Sequence, residues 1–313
     1  PFPNLRAVLE DSAGRLWIGG SYGLACADEP GREIPWFHRA PPGGSALFQE
    51  PVQALSEDPA HPGTVLWIGT AQSGLWRLDV ARGQATPFLH HPDSRLRLQA
   101  ASIYSLAWDK NGVLWIGTSA GLYTRRPSTG EFAPVALQGI EAVEPADLSV
   151  AALLVDRSGS VWVGTEYLGL VRLAQRPSQP PVLTHFSSAA EGPNKLTDNR
   201  ITSLLEDRTG TLWVGTIGGG LNRFDRETGA FNSFTTHDGL PDNMINSLVE
   251  DAEGQIWVST RRDLAVFRPG PAELSFRNYT AADGLQENRF SENSGSRGRG
   301  GWLNFGGLSG LTA

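Results

Sequence analysis

Apolar positions along this chain fall into short, strand-length runs that return in a fixed order. The first kind of run ends in an aspartate: LRAVLED at Asp11, VQALSED at Asp58, IYSLAWD at Asp109, VAALLVD at Asp156, ITSLLED at Asp207 and INSLVED at Asp251. Four residues before that aspartate the side chain is small (Ala7, Ala54, Ser105, Ala152, Ser203, Ser247). Three before it, the side chain is aliphatic (Val8, Leu55, Leu106, Leu153, Leu204, Leu248). Apolar residues on both faces predict a strand covered on both sides, with the small residue at a crowded inner edge. The second run carries an apolar-Trp-apolar triplet and closes in Gly-Thr or a variant of it. The third reads GLACAD, GLWRLD, GLYTRR, GLVRLA, GLNRFD and DLAVFR. A fourth ends in aromatics: Trp36 and Phe37, Phe88, Phe132, Phe186, Phe231 and Phe234, and Phe276 to Tyr279. Polar linkers such as AAEGPNKLTDNR and TTHDGLPDN lead to the next cycle.

The cycle is a repeat. Its tryptophans, Trp17, Trp67, Trp115, Trp162, Trp213 and Trp257, are spaced by 50, 48, 47, 51 and 44 residues. A seventh copy, GWLNFGGLSGL, puts Asn304 in the tryptophan position 47 residues later. A period of about 40–50 residues built from short strands predicts an all-β, seven-bladed β-propeller with four-stranded antiparallel blades, one per repeat. One closed array then takes up residues 1–313 as a single domain. Asp-x-x-Gly between the first two strands reads as a turn, with the aspartate accepting from backbone amides and glycine taking the positive-φ position. A tryptophan buries roughly 200 Å² and is expected to wedge each blade against the next.

Repeat seven departs from the rule. SENSGSRGRGG between Phe290 and Gly301 has no LxxD strand, and Arg297 to Gly301 reads as a mobile loop. In repeat six, Ser259 and Asp263 stand where glycines are expected.

The formal net charge of −7 and a pI of about 5.4 argue against a nucleic-acid partner, which would want a basic face. A lone cysteine, Cys26, excludes an intrachain disulfide and a cysteine metal cluster. No apolar run approaches the ~20 residues of a membrane span, so any membrane attachment is expected through segments outside this chain. Beginning at Pro1 almost on top of its first strand, the chain is expected to be a piece of something longer.

The repeats resemble the two-component regulator propeller repeat. The fifth, from Leu204 to Asp225, follows LxxDxxGxLWIGTxxGGLxRxD almost letter for letter. The ending GLQENRF through GWLNFGGLSGLTA is similar to the divergent blade that closes such propellers. The resemblance implies the periplasmic sensor part of a membrane-bound hybrid histidine kinase or diguanylate cyclase. It also implies a response to oligosaccharides released from polysaccharides, and signalling through the arrangement of two chains, hence a possible homodimer.

Ligands of propellers usually meet the loops where the inner strand begins and the turns between strands two and three, a fold-level analogy. The residues there vary between repeats. At the turns they are Ser21 and Tyr22, Gln72, Ser119, Glu166 and Tyr167, Ile217, and Arg261 and Arg262. At the strand starts they are Asn4 and Arg6, Gln53, Tyr104, Asn199 and Arg200, Asn246, and Asn288 and Arg289. Tyrosines that stack on sugar rings, with Arg, Asn and Gln for hydroxyls or carboxylates, form a glycan-type set. The candidate ligand residues are Arg6, Tyr22, Gln53, Gln72, Tyr104, Glu166, Tyr167, Asn199, Arg200, Asn246, Arg261, Arg262 and Arg289.

Chemistry of other kinds is thinly represented. The aspartates sit identically in six repeats, as turn residues do. The six histidines, His38, His61, His90, His91, His185 and His237, lack metal-ligand spacing, and no metal or cofactor is expected. The Gly218–Gly220 run is a turn and not a phosphate loop, since no helix follows. The alternative to a sensor is a propeller-type polysaccharide lyase or glycoside hydrolase. A hydrolase needs paired carboxylates, for which Glu166 with Glu50, Asp147, Asp198, Asp242 or Glu287 are the candidates. A scaffold for protein contacts is the third reading.

Overall fold

The structure, a computed structural model, describes residues 4–27, 50–87, 101–137, 148–176, 179–192, 195–270, 274–285, 289–308 and 310–312. Trp36, Phe37, Phe88, Asp147, Glu287, Asn288, His38, His90 and His91 lie outside the described residues. The chain is all-β: seven antiparallel sheets, one per repeat, make a seven-bladed β-propeller. Among the described residues blades two to six have four strands and blades one and seven have three. The chain divides into two compact units, residues 5–153 and residues 154–313 with 1–4.

The first unit holds blades one to three. Their opening strands are Leu5–Glu10, Val52–Glu57 and Ile103–Trp108, and their tryptophan strands are Leu16–Gly20, Val65–Thr70 and Leu114–Thr118. Trp17 packs with Leu24 and Cys26 against Val52, Leu66, Ile68 and Trp76 of blade two. Trp67 packs in the same way against Ile103, Leu114, Ile116 and Tyr123 of blade three. The indole thus sits between sheets, as its spacing predicts.

The glycine of Gly-Thr has a steric cause. In this unit it faces the small residue of its own first strand, Ala7 to Gly19, Ala54 to Gly69 and Ser105 to Gly117. A Cβ on Gly19 would meet Val52 at 2.5 Å, and one on Gly69 would meet Ile103 at 2.6 Å. The next blade therefore rests on bare backbone there.

The second unit holds the remaining tryptophan strands, Val161–Thr165, Leu212–Thr216 and Ile256–Thr260, and the seventh sheet. Trp162 packs on Ile201, Leu212, Val214 and Phe224 of blade five, and Trp213 on Ile245, Ile256, Val258 and Phe267 of blade six. Trp257 is only half-buried, stacked on Tyr279 at 5.2 Å, because blade seven offers it fewer large side chains.

Every repeated aspartate does more than close its turn. One carboxylate oxygen accepts from backbone amides two or four residues on, as Asp207 does from Thr209 and Thr211 at 2.9 and 3.0 Å. The other accepts the indole N–H of the repeat's own tryptophan. The distance is 2.8 Å for Asp11 and Trp17, Asp156 and Trp162, and Asp207 and Trp213. It is 2.9 Å for Asp251 and Trp257, 3.2 Å for Asp58 and Trp67, and 3.4 Å for Asp109 and Trp115. The turn glycine holds the expected positive φ, from +68° at Gly63 to +89° at Gly210. A buried N–H needs a partner, so the aspartate makes tryptophan admissible between sheets.

A second device links neighbouring turns. The glutamate before the aspartate accepts the backbone N–H that follows the aspartate of the preceding repeat. Glu57 takes Ser12 at 3.0 Å, Glu206 takes Arg157 at 2.8 Å and Glu250 takes Arg208 at 3.0 Å.

Burial alone would push the carboxyls of Asp11, Asp156 and Asp251 up. Hydrogen bonds from the indole, side chains and backbone outweigh it and hold all three below the ordinary 3.8. A carboxyl lowered on folding stabilises the fold above its unfolded value and loses that contribution as pH falls through the folded one. The urea midpoint is therefore expected to be flat from neutral pH down to about 4 and to drop below it. A midpoint that holds steady down to pH 2 would contradict this linkage.

Three sequence expectations need correction. The opening strands are not all covered on both sides: Leu55, Leu106, Leu153 and Leu204 are half-buried while Val8 and Leu248 are buried, and it is the tryptophan strands of blades two to five, inside their sheets, that are buried throughout. Repeat seven does have an opening strand, Phe290–Arg297, paired to Leu303–Gly307. It is built of serine and glycine because a Cβ on Gly295 would lie 2.8 Å from both Ser247 and Val249, and Asn293 at φ +54° takes up a register shift. Gly298 to Trp302 is a tight turn closed by Gly298 N–H on the Trp302 carbonyl at 2.8 Å, and not a loose loop. In blade six, Ser259 and Asp263 leave all four strands in place.

Candidate ligand-binding face

Turns between strands two and three are held by the threonine of Gly-Thr. Its hydroxyl donates to the carbonyl that ends the turn: Thr70 to Gly74 at 3.0 Å, Thr165 to Gly169 at 2.8 Å, Thr216 to Gly220 at 2.9 Å and Thr260 to Asp263 at 2.8 Å. The residue after that threonine then donates its N–H to the entry of the same blade's opening strand. Ala71 bonds Pro51 at 2.9 Å, Ser119 bonds Ser102 at 2.9 Å, Ile217 bonds Arg200 at 3.1 Å and Arg261 bonds Met244 at 3.2 Å. Both sets of variable positions thus meet at one end of each blade, opposite the aspartate turns.

In the unit of residues 5–153, Tyr22 is 62% exposed, Arg6 and Gln72 are exposed, and Gln53 and Tyr104 are half-buried. Gln53 keeps a buried Oε1 with no partner.

In the other unit the face is better formed. Tyr167 is 64% exposed and its hydroxyl donates to Glu166 at 2.9 Å. Asn199 ties the Glu166–Tyr167 turn to the linker of blade five: its carbonyl accepts Gly169 N–H at 3.0 Å and its Oδ1 accepts Ser188 N–H at 2.7 Å. Exposed Arg200 forks onto Asp198 at 3.2 Å, which raises its pKa further; Tyr167 adds a smaller push from nearby. Glu166, Tyr167, Asn199 and Arg200 therefore form one patch. Arg261, Arg262 and Arg289 are exposed, and Arg262 approaches Asp242 at 3.8 Å. Asn246 is placed differently. It is 1% exposed and gives its amide to the Phe290 carbonyl at 2.7 Å, so it offers nothing to solvent.

Sequence reasoning passed over a positioning motif. Asp-Asn recurs at 198–199 and 242–243. Asp198 and Asp242 accept the N–H two residues on, at 2.8 and 2.9 Å. Asn243 repeats the role of Asn199, accepting Gly220 N–H at 3.0 Å and Thr236 N–H at 2.8 Å. The dipeptide's return at the same place before Ile201 and Ile245 is the signal that marks it.

Of the acids suggested for hydrolysis, Glu166 bonds Tyr167, Asp198 bonds Arg200, Asp242 faces Arg262, and Glu50 accepts the Ser73 hydroxyl. Among the described residues no three His, Cys, Asp or Glu side chains gather into a metal-holding group. No helix among them is long and apolar enough to cross a membrane. A groove of about 660 Å³ lies at the opposite end of blade five, lined by Thr211, Arg223, Asp225, Glu227, Asn232 and Gly270 among others, away from the predicted ring.

Fold and repeat chemistry define a seven-bladed propeller of near-identical blades, and comparison with known proteins bears on the kind. Residues 97–120, 195–218 and 239–262 match the two component regulator propeller, so the chain carries repeats of that type. Among solved structures it is similar to the extracellular domain of the hybrid two component system BT3049 from B. thetaiotaomicron. The identity is 16% and the TM-score 0.60, over 98% of this chain and 50% of that one. It is also similar to PorZ of Porphyromonas gingivalis (16% identity, TM-score 0.70, 99% of this chain and 46% of that). Virginiamycin B lyase from Staphylococcus aureus, crystallised as an inactive variant with quinupristin, follows at 12% identity and TM-score 0.68, over 99% and 93%. At these identities the likeness is one of fold. The chain spans about half the length of the BT3049 domain. No curated protein matches it.

Proposed function

We propose that this chain is the extracytoplasmic, periplasmic ligand-sensing propeller of a membrane-bound signalling protein. It binds an oligosaccharide or polysaccharide fragment and passes the event to a cytoplasmic kinase or cyclase domain. The observation that carries the reading is the match of three separate stretches to the two component regulator propeller. The extracellular domain of similar fold supports it. So does the face that joins an exposed tyrosine to arginines and acids, the mix that stacks on a sugar ring and bonds its hydroxyls. In this reading the module binds and does not turn over its ligand. Binding acts by favouring one arrangement of two chains over another.

A glycan array probed with the purified chain, followed by calorimetry on the hits, tests this. A saturable hit that Tyr167→Ala weakens about tenfold or more, the loss of one stacking contact, is the expected result. Release of shortened or unsaturated sugars in chromatography of the mixture would instead make the protein a lyase or hydrolase. An array with no hit at all would remove the glycan.

A further inference from the structure

We propose that the groove at the aspartate-turn end of blade five binds a neutral polyhydroxylated ligand, a saccharide unit held by Arg223, Asp225 and Asn232. This goes beyond the glycan-sensing reading above, which puts the sugar at the other end of the blades. The ligand class here follows from the groove's own side chains.

The groove exists because blade six stops short. Trp213, Arg223 and Asn232 stand abreast on strands two, three and four of blade five, Trp213 paired with Arg223 and Arg223 with Asn232. Register partners share a face of the sheet. Trp213 shows which face this is, since it packs on blade six. The third strand of blade six ends at Phe267, and past it Pro269 and Gly270 line the space beside Thr211 and Asp225. The volume of about 660 Å³ falls within the range of small-ligand sites. Two glycines keep the groove open. A Cβ on Gly270 would meet nothing within 4 Å, and one on Gly210 only Glu206 Oε1 at 4.0 Å.

The groove holds both donors and acceptors. Arg223 is half-buried and gives only Nη1, to the Gly270 carbonyl at 3.0 Å, so Nε and Nη2 remain as donors. Asp225 takes the Glu227 and Thr228 N–H groups on Oδ1 at 2.8 and 3.3 Å. Those bonds hold its carboxyl below the ordinary 3.8, ionised and with lone pairs left on Oδ2. Asn232 is exposed and adds a donor and an acceptor on one side chain. An anion here would face Asp225 and Glu227, and a cation would face Arg223. A hydroxyl donates and accepts at once, so neighbouring sugar hydroxyls satisfy the guanidinium, the carboxylate and the amide together. The Pro269 ring offers an aliphatic surface to the C–H face of such a ligand.

Calorimetry of the purified chain with cellotetraose, galactotetraose and mannotetraose tests this, with glutamate and inorganic phosphate as a zwitterion and an anion. At least one tetraose is expected to bind saturably, with an affinity that changes less than about twofold between ~50 and ~300 mM salt. Gly270 lies outside the left-handed region, so a side chain there brings no backbone strain. Gly270→Phe puts a ring into the groove and is expected to weaken the tetraose about tenfold or more, while Gly270→Ala binds as the native chain does. Asn232→Ala is expected to weaken it about three- to tenfold, the loss of one or two hydrogen bonds. Circular dichroism checks the fold of each variant. Tighter binding of glutamate or phosphate, no binding of any tetraose, or an affinity untouched by both Gly270→Phe and Asn232→Ala overturns the inference. If that untouched affinity falls in Tyr167→Ala, the sugar sits at the other end of the blades, and the glycan-sensing reading stands without this groove.

Discussion

Trp213→Ala is expected to destabilise the protein by about 3–5 kcal/mol, the range for removing a large buried aromatic. Trp213 is fully buried, touches Phe267 at 4.9 Å edge to face and Phe234 at 6.3 Å, and is surrounded by aliphatic residues of blade six. Two losses combine. A void opens between sheets five and six, and Asp207, also fully buried, loses the indole N–H that its Oδ2 accepts. Trp213→Phe separates them, since it keeps most of the apolar body; it is expected to cost about 1–3 kcal/mol for the unpartnered oxygen and reduced fill. Urea midpoints give the totals, and hydrogen exchange should show the loss of protection centred on blades five and six. A cost under about 1 kcal/mol for the alanine variant would mean that the indole is not the wedge described.

Arg226→Ala comes next, at about 3 kcal/mol, because it leaves a carboxylate that has no access to water without its counter-ion, though still hydrogen-bonded to Trp162 and Ser160. Arg226 leaves blade five and reaches back to blade four. Its head group donates to Asp156 Oδ2 at 2.8 Å, Glu206 Oε1 at 2.9 Å and the Gly210 carbonyl at 2.8 Å, and lies 5.9 Å from the Trp162 ring. The Asp156 side chain has no exposed surface and Glu206 only 9%. Lysine has one ammonium for three acceptors pointing in different directions, so Arg226→Lys should recover less than half of the loss. Arg208 provides the control. It makes a similar link to Glu250 at 2.6 Å but is 46% exposed, where an ion pair contributes about 0–1 kcal/mol. Equal losses from Arg208→Ala and Arg226→Ala in thermal melts would show that burial does not set the strength of these links.

The fold was readable because its determinants are local and repeated. The positive-φ glycine, the small residue opposite the Gly-Thr glycine and the indole recur at one spacing, and each answers a backbone or packing demand within one or two blades. The opening strand of blade seven was hidden because its demand is the opposite one. Gly295 must leave room for Ser247 and Val249, so the strand carries none of the apolar alternation that announces its counterparts. The aspartate-indole bond was half legible: the turn role was read, but the second carboxylate oxygen has no mark in the sequence beyond a six-residue spacing to tryptophan in five repeats, stretched to nine between Asp58 and Trp67.

The face was less legible still. Asn199 and Asn246 share a residue type and a place near a strand start, yet one is half-exposed and knits a turn to a linker while the other is sealed under Phe290. Asn199 stands two residues before the strand that opens at Ile201, whereas Asn246 is the second residue of the strand that opens at Ile245 and turns its amide to the next blade.

Because Trp17, Trp67, Trp162 and Trp213 are each covered by the following blade, none of their repeats is complete when its own residues have left the ribosome. With 44–51 residues between successive tryptophans and synthesis at about 5–20 residues per second, each ring waits roughly 2–10 s for its cover. Nascent blades are thus sticky in turn, and a pause within a linker prolongs exposure of the ring just made. Asn304, at this position in repeat seven and 4% exposed, adds no further ring to the queue.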